Sequence, residues 1–162
     1  MIYSSAVFYT ERNLRDENSF DVTISKPYNR SMITIDEAMT MLDEIYDGLP
    51  LDFHKDLDGG VILSPDEKKH PASDKSRPLY ILGEYHSQPR GLGRFIIIYY
   101  GSFNKMFGSY SPEQFREKLR KTLLHEYTHH LESLAGERGL ELEDARKLWK
   151  YKQQKRKPGQ NA

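Results

Sequence analysis

His125 and His129 lie four residues apart with Glu126 directly after the first, within Leu124-His125-Glu126-Tyr127-Thr128-His129-His130. On a helix, positions i and i+4 stack one above the other, so two imidazoles at this spacing can close on a single zinc ion. A glutamate beside the first of them is placed to take a proton from a zinc-activated water. This HExxH pattern is the signature of zinc-dependent peptidases. It assigns His125 and His129 as metal ligands, Glu126 as general base, and Zn²⁺ as cofactor.

Those roles require a helix, and the flanking residues supply one. Ser111-Pro112-Glu113-Gln114 is a capping box with proline at the first helical position. From there Phe115, Leu119, Leu123 and His130 recur at helical spacing, with Thr122, Glu126 and Leu134 alongside, and Gly136 is the natural stop. The motif therefore falls in the last three turns of one capped helix. Lys118, Thr122, His125, His129 and Glu132 share a stripe beside its apolar face.

A catalytic zinc needs a third protein ligand and leaves its fourth position to water. No histidine follows His130, which excludes the metzincin pattern HExxHxxGxxH. The acids within reach downstream are Glu137, Glu141, Glu143 and Asp144. A second helix is predicted from about Leu140–Asp144 through Lys152. On it Glu143 shares the solvated face with Arg146, Lys147 and Lys150, whereas Glu141 and Asp144 border the apolar one. Asp144 also stands where an N-cap would. The order of preference for the third ligand is Asp144, then Glu141.

Leu79-Tyr80-Ile81-Leu82-Gly83-Glu84-Tyr85-His86, Gly93-Arg94-Phe95-Ile96-Ile97-Ile98-Tyr99-Tyr100-Gly101 and the helix from Thr122 to Gly139 together resemble the short bacterial zincin-like metallopeptidases of the minimal type, over about Met32 to Tyr151. The resemblance implies a zincin-like fold, bound zinc and a peptide or protein substrate. Members of that group follow HExxH with two residues, a glycine, two residues and an aspartate that is the third ligand. Here Glu132 stands at the glycine position and Ala135 at the aspartate position, which implies a longer active-site helix with its turn postponed to Gly136.

At 162 residues the chain suits one domain with a real core. It carries 24 basic and 24 acidic residues and no cysteine, so disulfides and thiolate ligands are excluded and a reducing, cytoplasmic setting is expected. The longest apolar run, Phe95 to Tyr100, is far too short to span a bilayer. Residues 1–30 read as an N-terminal arm with Val7-Phe8-Tyr9 and Val22-Thr23-Ile24 as strand-like pieces, residues 31–152 as the metallopeptidase domain, and 153–162 as a basic tail.

Within the domain, Met32 to Glu37 opens a helix whose Ala38, Leu42 and Ile45 form one stripe and which stops at Gly48-Leu49-Pro50. Val61-Ile62-Leu63, Tyr80 to Gly83 and Arg94 to Gly101 read as strands, the last two joined by a hairpin loop, and Lys68 to Pro78 as a polar loop. The expected class is α+β: a small antiparallel or mixed sheet packed on the HExxH helix, with helices before and after. His86, and less so His70, are candidates to stabilise an oxyanion. Tyr99 and Tyr100 alternate, so only one can face the site, and the Phe95 to Tyr100 strand could pair with an extended substrate along an exposed edge.

Two further functions compete with the peptidase. One is a zincin scaffold that binds peptide or metal without turnover, with Glu132 as its mark. The other is a nucleic-acid-associated protein using Arg146, Lys147, Lys150, Lys152, Lys155, Arg156 and Lys157. A solvated helix end followed by a polar tail accounts for that basic run more simply. The sequence does not fix the oligomeric state.

Overall fold

The computed structural model describes residues 32–88 and 90–136, together with the backbone of 3–9. The second predicted helix, with Glu141 and Asp144, the basic run and Val22-Thr23-Ile24 all lie outside the described residues.

The elements in chain order are β1 (Tyr3–Tyr9), α1 (Ile35–Asp47), a 3₁₀ turn (Leu51–His54), β2 (Gly60–Ser64), β3 (Lys68–Lys69), β4 (Tyr80–Gln88), β5 (Gly93–Tyr99), α2 (Tyr100–Phe107) and α3 (Pro112–Ala135). The class is α+β, with one mixed five-stranded sheet ordered β1-β4-β5-β2 and β3 beside β4. β4 is antiparallel to β1, β3 and β5, while β2 runs parallel to β5.

Local sequence explains the helix boundaries. Thr34 caps α1 and Ser111 caps α3, each in a capping box with Glu37 or Gln114, so the first backbone N–H groups find partners. α3 ends at Gly136, whose φ of 75° is the left-handed conformation that glycine adopts freely. Ala38, Leu42 and Ile45 of α1 pack with Phe115, Leu119 and Leu123 of α3, and with Ile96 and Ile98 of β5, in the main core. On the other side of the sheet, Ile81 and Tyr99 form a smaller cluster with Ile97 against it.

Three expectations change. The last strand ends at Tyr99 rather than Gly101, and the chain turns at once into α2. Position 101 of this helix must be glycine, because a Cβ there would lie 2.6 Å from the Asp66 and Glu67 backbone. The segment from Phe95 is also no exposed edge, since β4 and β2 take both of its sides. Finally, the polar loop begins as the short strand β3, held by a hydrogen bond from the Lys68 N–H to Ser102 Oγ. Among the described residues no helix is long and apolar enough to cross a membrane.

Candidate metal centre

α3 crosses the sheet over β4, and Gly83 is what lets it come close. A Cβ at Gly83 would stand 3.1 Å from Thr122 Cγ2, 3.2 Å from Glu126 Cγ and 3.1 Å from Ile98 Cδ1, so even a methyl there would make these side chains shift by a few tenths of an ångström and a larger group would press on the helix. Glu126 is thereby fully buried, at 0% exposure, between helix and sheet. Beside it His129 is buried and His125 half-buried, and their Nε2 atoms lie 3.1 Å apart. A tetrahedral zinc at about 2.0–2.1 Å from each nitrogen sets two ligands about 3.3 Å apart. At this distance the two imidazoles share a hydrogen bond, and with its proton removed they stand at nearly the bite that such an ion needs. Among the described residues no third histidine or carboxylate joins them in a metal-holding group. Both nominated third ligands fall outside those residues, and Glu132, on the same stripe, is half-buried.

The motif's other residues hold the helix. The buried Tyr127 hydroxyl shares a 2.7 Å hydrogen bond with His54 Nδ1, and the His54 ring stacks on Tyr46 at 4.0 Å between centroids. Burial pushes the Tyr127 hydroxyl pKa well above the ordinary tyrosine value, so it stays protonated. His130 Nε2 donates to the Lys55 carbonyl at 2.8 Å. Its Nδ1 is therefore the lone-pair nitrogen and accepts from the Tyr85 hydroxyl at 3.4 Å. Burial lowers the His130 pKa, and the Arg94 cation adds to this against the opposing Lys55 carbonyl. The imidazole is accordingly a neutral structural group. These tethers were not anticipated, although His130 stands on the apolar stripe, where a histidine must find partners if buried.

His86 does not join the candidate centre. Side chains alternate along a strand, and Gly83 and Tyr85 face α3, so Glu84 and His86 face away from it. There His86 stacks on Phe95 at 4.9 Å between centroids and its Nε2 lies 3.4 Å from Glu84 Oε2. The same oxygen accepts from Lys68 Nζ at 2.6 Å and from the Tyr99 hydroxyl at 2.6 Å. Burial alone would raise the Glu84 carboxyl, but the bonds from His86, Lys68 and Tyr99 and the Lys68 charge outweigh it and bring its pKa to about 2. The oxyanion role expected of His86 is thus lost to strand alternation. Neither tyrosine faces the centre: Tyr99 bonds Glu84, and Tyr100 donates to the Ile33 carbonyl at 2.6 Å. His70 is taken up locally, its Nδ1 accepting from the Ala72 N–H at 3.0 Å.

No family model matches the chain, and no curated protein does. Among solved structures, a conserved hypothetical protein from Thermo thermophilus is similar, with 33% identity and a TM-score of 0.53, over 64% of this chain and 98% of that one. At that identity, across nearly the whole of the other chain, this protein belongs with it to one family.

Proposed function

We propose that the protein is a zinc-dependent metallopeptidase of zincin-like fold. The observation that carries this reading is the 3.1 Å separation of the His125 and His129 Nε2 atoms, with Glu126 buried beside them against Gly83. The two nitrogens fit a zinc ion, and Asp144, or failing it Glu141, completes the ligand set from beyond the Gly136 turn. Zinc, when bound, supplies Lewis acidity toward the scissile carbonyl and lowers the pKa of the attacking water.

The chain's own residues do the rest. Glu126 accepts a proton from that water as it attacks, then delivers it to the departing amine. Its burial between Gly83 and α3 fixes the carboxylate relative to the two imidazoles. Tyr127 and His130 stop α3 from rotating, through His54, Lys55 and Tyr85. Substrates are peptides or unfolded proteins, and the absence of cysteine fits a reducing, cytoplasmic setting.

Glu132 and Ala135, where minimal zincins have glycine and aspartate, favour one second reading: a scaffold that binds peptide or metal without turnover. The zinc-loaded protein and Glu126→Gln, assayed on casein and a peptide library, separate the two. The peptidase reading expects a loss of about 10²- to 10⁴-fold in the variant, since the amide keeps the shape but cannot accept the proton. Equal rates in both proteins contradict it, and no cleavage by either supports the scaffold.

A further inference from the structure

We propose that β1 occupies the place an extended substrate takes beside the candidate centre, so that residues 3–9 must leave β4 before a peptide can be cut. The inference rests on the peptidase reading and adds its regulation.

The argument starts from the two flanks of α3. With 3.6 residues per turn, His125 and His129 lie roughly half a turn round the helix from Arg116 and Tyr127. Arg116 reaches Glu44 and the Met41 carbonyl of α1, and Tyr127 reaches His54. That flank is closed by α1 and the following turn. Beneath the helix, Thr122 and Glu126 rest on β4. The flank bearing the two histidines therefore overlooks the sheet on the side away from α1. α3 also meets β1, which flanks β4 opposite β5, the strand whose Ile96 and Ile98 pack with α1.

β4 has one edge that could receive a peptide there. Its inner edge is taken by β5 and β3. Its outer edge is paired with β1 in antiparallel register from Tyr3↔Ser87 to Tyr9↔Tyr80. A peptide that adds a strand to a sheet uses this same backbone ladder, which is indifferent to most side chains. The segment Tyr3-Ser4-Ser5-Ala6-Val7-Phe8-Tyr9 is uncharged and ends in a β-branched and aromatic run, as an unfolded substrate segment can. The register slips between Val7 and Phe8, so the ladder is interrupted near one end. An interrupted ladder is easier to peel from that end.

The chain has no cysteine, so a disulfide can lock the strand without competing thiols. Ser4 and His86 are directly paired, and His86 points away from α3, so Ser4→Cys with His86→Cys leaves the candidate centre intact. The zinc-loaded double variant is assayed on casein, oxidised and then reduced, with mass spectrometry reporting the bond. Binding is read separately, by fluorescence anisotropy of a labelled Tyr-Ser-Ser-Ala-Val-Phe-Tyr peptide. The proteins compared are the oxidised pair and a Ser5→Pro/Ala6→Pro variant. Consecutive N–H groups of an antiparallel strand point to opposite sides, so one of these prolines must remove a bond to β4.

Oxidation should cut hydrolysis about tenfold or more, because only molecules with β1 displaced are competent, and reduction should restore it. The labelled peptide should bind the proline variant and not the oxidised pair. Equal cleavage by oxidised and reduced protein overturns the occlusion while leaving the peptidase reading intact. Absence of peptide binding to a folded proline variant overturns it as well. Peptide binding that follows the predicted pattern, with no cleavage under any condition, upholds the displaceable strand and removes the peptidase.

Discussion

Neighbouring residues of β4 serve opposite faces of the sheet, and the two faces use polar groups differently. Toward α3, Gly83 contributes empty space and Tyr85 a single hydroxyl, and above them stand Glu126 and the imidazole pair. Away from α3, Glu84 gathers Lys68, Tyr99 and His86 into a compact cluster. The second face is the more richly bonded, and its groups are drawn to one carboxylate oxygen. Glu84 Oε2, which accepts from a lysine and a tyrosine at 2.6 Å each, has its lone pairs committed. Chemistry at the first face rests instead on an imidazole spacing that suits an ion. Density of polar contacts therefore marks structure here, and spacing marks the candidate centre.

Changes on the two faces should separate stability from metal binding. The largest effect is expected at Gly83. Gly83→Val puts a branched side chain where a single Cβ already meets three atoms at 3.1–3.2 Å. Over-packing costs about 1–3 kcal/mol for added methylenes and more where helix and strand must part. Thermal unfolding should show that loss together with weaker zinc binding, because Glu126 and His129 move with the helix. Unchanged zinc affinity in a destabilised Gly83→Val protein would mean that β4 does not position the centre.

Glu84→Gln should cost about 1–3 kcal/mol at neutral pH, as the bond to the Lys68 cation loses its charged partner. Zinc binding should be untouched. Because the folded-state pKa of about 2 lies below the ordinary 4.5, this stabilisation is present above pH 4.5 and is lost as pH falls from 4.5 towards 2. Chemical denaturation across that window should bring wild type and variant together at its acid end. A difference between them that does not depend on pH would assign the cluster no ionic role.

The smallest effect belongs to His86→Ala. It gives up the stack on Phe95 and a long contact to Glu84, worth about 1 kcal/mol or less. Turnover per bound zinc should match wild type. A large fall in turnover at unchanged stability would restore the oxyanion role that strand alternation removes.

Much of this was legible in the chain. Ser111-Pro112-Glu113-Gln114 and Gly136 mark both ends of α3, and the stripe from Phe115 to His130 tells which side is buried. Such signals are local and act through backbone groups close in sequence. What the sequence did not reveal is set by pairing between distant segments. Whether His86 faces α3 depends on the parity of a nine-residue strand that bulges against β1, and one residue of slip reverses every side chain. The Phe95 to Tyr99 segment reads equally as edge or interior until its two neighbours are known. His54 lies 73 positions from Tyr127, beyond any periodicity. α2 was hidden because it follows β5 without a break and Tyr100-Gly101 resembles the end of a strand.

The central claim is that His125 and His129 hold zinc. Its most direct test is elemental analysis of purified wild type, His125→Ala and His129→Ala after dialysis against trace zinc, with circular dichroism to confirm that α3 persists. The expected result is about one zinc per wild-type chain and loss of the metal from both folded variants. Full zinc occupancy in both variants would remove the metal from α3 and with it the proposed chemistry.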